Sequence, residues 1–291
     1  MKRFGYLRYI TALLLFGSCG VLASTIHLSS YEIVFLRTLL GFLVITALFF
    51  LSRQRVKSFQ YKKEALFVLL SGFSMGLNWM FLFEGYARIG VSLSVLLCYC
   101  GPMIVMLLSP IFFKERLTAV KLIGFVAVVC GVVLTNGKVF VESGDIFGFV
   151  CGGLAALTYA GLVMFNKKAT HIVGLENSVL QLFASCFTVA VFLAFKDGGL
   201  LFPVPSGDWL PILVLGILNT GIACYLYFSG LGRLPVQSAA VCGYLEPLSA
   251  VILAAVVLHE VLSPLQLLGV VLILGGALFA ECYKKRETKT E

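Results

Sequence analysis

The sequence contains little charge for its length. Charged residues make up 12% of its 291 residues, whereas globular proteins carry about 25%. Hydrophobic residues account for 60%, and the mean hydropathy is +1.01. A chain with so few charges cannot cover a water-facing surface of this size, which excludes a soluble globular protein. The composition predicts an integral membrane protein whose main partner is the lipid bilayer.

Motifs for catalysis, metal binding and nucleotide hydrolysis are also missing. The sequence contains neither HExxH nor GxxxxGK[ST], and its three histidines are far apart in the chain. Its nine cysteines include no CxxC pair, and most lie in apolar runs, where reduced cysteine acts as a small hydrophobic residue. We therefore expect no enzyme activity, no metal and no cofactor, and no ATP hydrolysis by this chain.

The formal net charge of +8 does not predict a nucleic-acid partner. Such a partner needs basic residues gathered on one folded face, and here they occupy short loops between apolar runs. Basic loops of this kind mark the cytoplasmic side of a membrane protein. Their distribution predicts a protein of the plasma membrane with both termini on the cytoplasmic side.

Ten apolar runs are long enough to cross the hydrocarbon core, which takes about 20 helical residues. The first is treated as a retained helix, since it is long and its signal-peptide cleavage pattern is weak. The sequence thus predicts an all-α integral membrane fold with ten transmembrane helices, near 7–26, 31–51, 64–84, 91–113, 118–136, 146–166, 175–195, 208–229, 236–258 and 263–282.

An internal repeat organises these runs. Residues 87–134 align without a gap on residues 232–279 at a constant offset of 145. This predicts two units, 1–140 and 141–291, of five spans each. Because five is odd, the second unit enters the membrane upside down, as in secondary transporters built from inverted repeats. The matched pairs include Arg88 with Arg233, Tyr99 with Tyr244, Pro102 with Pro247, Glu115 with Glu260, Gly124 with Gly269 and Gly131 with Gly276.

The repeated endings resemble those of the drug/metabolite transporter superfamily, and within it the ten-span EamA proteins. In each half a mid-helix proline is followed by a glutamate that closes the helix, in KERL at 114–117 and HEVL at 259–262, and then by a glycine-spaced last span. The resemblance implies an all-helical transporter with a central cavity between its halves. It also implies export of amino acids, nucleosides or other small metabolites as a common activity.

Pro102 and Pro247 are the predicted hinges. Proline lacks an N–H, so the carbonyls of Cys98 and Gly243 lose their helical partners and the helix kinks. At membrane depth a freed carbonyl needs a neighbour, water or ligand. The two kinks either shape packing alone or serve as hinges that line a cavity.

Glu246 is the strongest candidate for a functional residue. It lies near the middle of the predicted ninth span, where a carboxylate must face the protein interior or water. Three roles fit: a carboxylate that carries the coupled proton, a counter-ion for an amine or other cationic substrate, or an acceptor that ties helices together. Its repeat partner is Gly101.

Other polar and aromatic residues at membrane depth complete the predicted substrate site. Arg37 needs an anionic or carbonyl partner, either within the protein or on the substrate. The two asparagines bridge helices or line the pore, and the aromatic side chains pack in the core or offer ring faces to an amine. With Glu246 and Arg37, this set comprises Asn78, Trp79, Tyr99, Asn219, Tyr225 and Tyr244.

These features favour a secondary transporter that exports an amino acid or related compound by alternating access, coupled to a proton or a counter-substrate. An uptake carrier for a small amine, nucleoside or other metabolite remains open. A scaffold without transport activity and a membrane-embedded enzyme are the alternatives from a different class. The sequence does not predict the oligomeric state.

Overall fold

Helices make up all the regular structure in the part of the chain that the structure describes. The computed structural model describes residues 2–54, 56–113, 119–143, 145–196, 199–200, 202–231, 242–243 and 245–287. The helices of the first half are α1 (Lys2–Gly17), α2 (Cys19–Ser24), α3 (Ser30–Leu51), α4 (Lys62–Ile89), α5 (Val91–Cys98), α6 (Gly101–Phe113) and α7 (Ala119–Ser143).

The second half repeats much of this order. Its helices are α8 (Ile146–Asn166), α9 (Leu175–Lys196), α10 (Trp209–Leu213), a π-helix (Val214–Ile222), α11 (Ala223–Leu231), α12 (Leu245–Val257) and α13 (Pro264–Glu287), with a 3-10 turn (Ser206–Asp208) before α10.

Within the described residues, six helical stretches are long and apolar enough to cross a bilayer. They are Gly5–Ser24, Ser30–Leu51, Lys62–Ile89, Ile146–Asn166, Leu175–Lys196 and Ser206–Gly230. Shorter apolar helices cover Val91–Val105, Leu122–Leu134, Leu245–Val257 and Pro264–Gly276. The all-helical class predicted from the sequence is confirmed for the described residues, and ten crossings stay a prediction.

Two predicted spans are interrupted rather than continuous. The first breaks at Ser18, between α1 and α2, and the fourth breaks at Tyr99 and Cys100, between α5 and α6. The second break falls just before Pro102, as expected of a residue that cannot donate a helical hydrogen bond. In the predicted ninth span, Pro247 lies within α12.

The eighth predicted span contains a nine-residue π-helix, Val214–Ile222. Within it the Thr220 hydroxyl donates to the carbonyl of Leu215 at 2.8 Å. Such stretches are rare and occur mostly as local insertions in α-helices. Neither hydrophobic periodicity nor helix propensity predicted this one.

Helices of the two halves pack closely against each other and form the interior of the molecule. α7 packs along α13, α4 along α8 and α9, α3 along α9, and α1 along α11. Glycines allow several of these approaches: a Cβ at Gly72 would lie 2.5 Å from the carbonyl oxygen of Gln181, and a Cβ at Gly76 2.9 Å from that of Ser185. Close backbone approach at small residues is characteristic of helix packing in membranes.

Candidate functional site

The candidate site lies where the broken fourth span faces the first turn of α12. Glu246 is in that turn and is half-buried. Tyr99, at the break between α5 and α6, lies close enough to the Glu246 carboxyl to interact with it. A helix break from the first half and a turn of α12 from the second half therefore meet near one carboxyl group.

Further phenols surround this carboxyl group. Tyr9 of α1, Tyr86 of α4 and Tyr227 of α11 are close enough to interact electrostatically with Glu246. The rings of Tyr9 and Tyr227 are 5.2 Å apart, and those of Tyr99 and Tyr159 are 6.3 Å apart. A carboxylate flanked by aromatic rings is suited to a cationic amine, which both the negative charge and the ring faces attract.

Arg37 belongs to the same region but is held by protein groups. Its side chain is fully buried, and its Nε donates to the Thr220 hydroxyl at 2.9 Å. The guanidinium carbon lies 4.3 Å from the centre of the Trp79 ring and 4.8 Å from that of Phe83. Its charge also attracts Glu246. Arg37 thus has partners within the protein, which was one of the two predicted alternatives.

Two of the predicted aromatic residues have different surroundings. Trp79 stacks under Arg37 and is half-buried. Tyr225 packs in an apolar cluster with Ile45, Phe49 and Leu182. The structure therefore places Trp79 next to the site through Arg37 and places Tyr225 in a hydrophobic contact between helices.

Both asparagines lie in contacts between helices. Asn78 Nδ2 donates to the carbonyl of Ala155 at 2.7 Å, which ties α4 to α8. Asn219 Nδ2 donates to the carbonyl of Leu15 at 2.7 Å and to the Ser18 hydroxyl at 2.8 Å, at the break after α1. Both side chains are almost completely buried. In this structure they donate hydrogen bonds to carbonyl groups of neighbouring helices, as polar residues between membrane helices often do.

The predicted hinges flank the site. Pro102 is half-buried and follows Gly101, where a Cβ would lie 2.7 Å from the Tyr159 ring. Pro247 is buried directly after Glu246. Tyr244 and Glu115 lie outside the described residues. Among the residues that are described, no group of three or more His, Cys, Asp or Glu has the arrangement of a metal site.

Two of the residues near Glu246, Tyr9 and Tyr86, were not predicted from the sequence. They come from different helices, and their positions in the chain give only their depth in the membrane. Depth alone does not say which side of a helix faces its neighbours. Tyr9 lies at the start of the first predicted span and Tyr86 just beyond the third, so neither stood out as a polar group within an apolar run.

A helical membrane protein with interrupted spans around a shielded carboxyl group belongs to the broad class of polytopic transporters. The model of the EamA-like transporter family matches this chain twice, over residues 3–137 and 146–281. The chain therefore belongs to the EamA-like transporter family, which confirms the resemblance drawn from the repeated motifs.

Several relatives are also named as transporters. The uncharacterized transporter YxxF of Bacillus subtilis is 26% identical over 278 residues, which are 94% of this chain and 88% of that protein. A probable terminal-alkyne amino-acid exporter of Streptantibioticus cattleyicolor is 26% identical over 72% of this chain and 68% of its own. The riboflavin transporter ImpX of Fusobacterium nucleatum is 25% identical over 60% of each chain.

A solved crystal structure supports the fold assignment. It aligns with a TM-score of 0.62 and 21% identity, and it covers 96% of this chain and 98% of the other. At that identity the likeness concerns the fold alone.

Proposed function

We propose that this protein is a secondary transporter of the plasma membrane with ten spans and both termini in the cytoplasm. Two inverted five-helix halves, 1–140 and 141–291, alternately expose a central site to each face of the membrane. The solute is an amino acid or a related compound, and the direction is export. The observation that carries this proposal is the Glu246 carboxyl group, which lies beside Tyr99 where the two halves meet.

Reciprocal contacts between the halves support the inverted repeat. A Cβ at Gly72 would lie 2.8 Å from the Ala184 Cβ, and a Cβ at Gly216 would lie 2.6 Å from the Leu40 Cβ. The two glycines are 144 positions apart, and so are Leu40 and Ala184. When residue i meets j′ and residue i′ meets j, the two units are related by a two-fold axis.

The shorter helices support ten spans. Val91–Val105, Leu122–Leu134, Leu245–Val257 and Pro264–Gly276 fall within predicted spans four, five, nine and ten. Together with the six longer stretches, they occupy every position at which the sequence predicts a crossing. Interrupted helices near the site are also typical of secondary transporters, whose binding sites use discontinuous helices.

Glu246 provides the coupling in this scheme. A carboxylate can hold an ammonium group or a proton, and the two compete for the same oxygens. If the site changes its accessibility from one face to the other only when an ammonium group or a proton is bound, the protein exchanges its solute for protons or for a counter-substrate. The break before Pro102 would let the first half bend at the depth of the site, and Pro247 would be its counterpart in the second half.

Two relatives bear on the choice of solute. The relative named as an amino-acid exporter supports both the solute class and the outward direction. The relative named as a riboflavin transporter shows that a flat ring system is a second solute worth including in a test.

Solute exchange in proteoliposomes tests the proposal. Vesicles loaded with an unlabelled amino acid should accumulate the labelled compound, and Glu246→Gln should lower the initial rate by about tenfold, as expected for losing a contact to a charged group. Glu84→Gln is the matched control, because Glu84 pairs with Arg88 at the helix end. Absence of exchange with every amino acid, amine, nucleoside and flavin tested would favour a scaffold or an embedded enzyme.

A further inference from the structure

The Arg37 guanidinium is buried against four side chains. Thr220 accepts from Nε at 2.9 Å, and the Cys19 sulfur lies 3.7 Å from one terminal nitrogen. Trp79 and Phe83 cover the plane of the group. Its relative exposure is 2%. Among the described residues no carboxylate lies within salt-bridge distance of Arg37.

Thr220 reaches Arg37 because the second half contains one extra residue. Gly72 and Gly216 match at an offset of 144, whereas Gly76 and Gly221 match at 145. The additional residue thus lies between 216 and 221, within the π-helix Val214–Ile222. A π-helix bonds residue i to residue i+5 and so accommodates one more residue than the i to i+4 bond of an α-helix. It widens the turn, which brings the Thr220 hydroxyl into contact both with Leu215 and with Arg37.

The corresponding position in the other half has no cation. Position 37 plus 144 is Gln181, which is fully buried and donates to the Asn177 side chain at 2.5 Å. Its backbone packs against Gly72, on the regular α-helix α4. The cation and the one-residue insertion beside it therefore occur together, in one half of the two-fold arrangement.

Glu246 differs from Arg37 in its exposure. It is half-buried, whereas Arg37 is 2% exposed. Tyr99 lies beside Glu246, and Tyr9, Tyr86 and Tyr227 are within electrostatic reach of it. An amine therefore has a more open route to Glu246 than a carboxylate has to Arg37, which Thr220 and Trp79 cover.

We propose that the site recognises the amine of its solute through Glu246 and leaves the solute carboxylate unrecognised, while Thr220 holds Arg37 as a fixed internal charge. This inference rests on the proposed transport function and narrows its solute to compounds that carry a cationic amine. Thr220 is a positioning residue in this scheme, since it acts through Arg37. An α-carboxylate on the solute is then tolerated rather than required.

Three related compounds separate amine recognition from carboxylate recognition. Phenylalanine carries both groups, phenethylamine lacks the carboxylate, and 3-phenylpropionate lacks the amine. Binding to the purified full-length protein is measured by calorimetry and by the thermal shift. We expect phenethylamine to bind at least as tightly as phenylalanine, and 3-phenylpropionate to bind more weakly than both by about tenfold or more.

Thr220 variants test the positioning role. The readout is the ratio of the affinities for phenethylamine and 3-phenylpropionate, which a change in fold stability alone does not alter. Thr220→Val removes the acceptor for Arg37 Nε, so the freed guanidinium should bind 3-phenylpropionate more tightly and the ratio should fall. Thr220→Ser keeps a hydroxyl and should restore the wild-type ratio. Melting temperatures identify any variant that is unfolded, and Ser249→Ala, a change beside Glu246 that leaves Arg37 untouched, serves as a second control.

The outcomes distinguish this inference from the proposed function. Equal binding of phenylalanine and 3-phenylpropionate, with weaker binding of phenethylamine, would show that a cation of the protein binds the solute carboxylate. That result would overturn the inference and leave the proposed transport function standing. An unchanged affinity ratio in Thr220→Val would overturn the role of Thr220. Failure of all three compounds to bind or to exchange would overturn the proposed solute class itself.

Discussion

His27 and Asp208 form a contact that His171 and Glu64 repeat. The backbone N–H of His27 donates to Asp208 Oδ2 at 2.6 Å, and its ring Nδ1 lies 3.0 Å from Oδ1. The backbone N–H of His171 donates to Glu64 Oε2 at 2.8 Å, and its Nδ1 lies 2.6 Å from Oε1. In each contact one predicted half supplies the histidine and the other half supplies the acid.

The spacing of these residues explains the likeness. His27 and His171 are 144 positions apart, and so are Glu64 and Asp208. A pair that exchanges its partners in this way is what a two-fold relation between units produces. If the halves are inverted, one contact lies on the outer face of the membrane and the other on the cytoplasmic face.

The first prediction concerns these two contacts. Asp208→Ala removes the acceptor for both the His27 N–H and its ring, so we expect a lower melting temperature. His27→Asn keeps the backbone donor and loses only the ring contact, so its effect should be smaller. Thermal unfolding in detergent measures both, with His259→Asn as a matched control at an exposed histidine. A control that melts as low as Asp208→Ala would argue against the contact.

The second prediction concerns coupling at Glu246. A glutamine at this position cannot change its protonation, so proton-driven transport by Glu246→Gln should lose its dependence on pH. Exchange of solute for solute needs no proton and should persist at a reduced rate. Initial rates in proteoliposomes between about pH 5 and 8, the range in which many proteins are most stable, measure both. Unchanged pH dependence in the variant would remove Glu246 from the path of the proton.

The third prediction concerns helix packing. Gly72→Ala places a methyl group 2.5 Å from the Gln181 carbonyl oxygen, and backbone atoms cannot yield as a flexible side chain does. Overpacking of this kind costs about 1–3 kcal/mol. Gly153→Ala is the matched control, since a Cβ there meets nothing within 4 Å. We expect the melting temperature to fall for Gly72→Ala and not for Gly153→Ala, and equal values would contradict the packing described.

The fourth prediction concerns Glu260. Its carboxylate accepts from the backbone N–H groups of Val91 and Ser92, at 2.9 and 3.1 Å, and so caps α5 from the other half. Loss of a cap costs about 0.5–2 kcal/mol. Melting temperatures should fall in the order wild type, Glu260→Gln, Glu260→Ala, because glutamine keeps one neutral acceptor. An alanine variant as stable as the wild type would contradict the capping role.

The features predicted best from the sequence follow from chemistry that is local to the chain. Proline cannot continue a helix, so a break near Pro102 was predictable, and it occurs at Tyr99 and Cys100. Glu260, predicted to close the ninth span, accepts hydrogen bonds at the start of α5 in the other half. Repeated prolines and glycines identified the family, which the family model confirms.

The direction in which a side chain points from its helix was not predictable from the sequence. Asn78 and Asn219 lie at the right depth to line a pore, and the structure instead shows both bound to helix carbonyls. The histidine contacts were missed because each one joins residues more than 100 positions apart. The change of offset from 144 to 145 was visible in the sequence, but its meaning needed the π-helix.

Opposite orientation of the two halves is the central claim, and site-directed labelling measures it most directly. Single cysteines replace His27 or His171 in a cysteine-free background that retains exchange activity, and intact cells are treated with a maleimide that cannot cross membranes. The account predicts that the cysteine at position 27 is labelled in intact cells and that the cysteine at 171 is labelled only after the membrane is opened. Labelling of both positions from the same side would contradict the inverted arrangement.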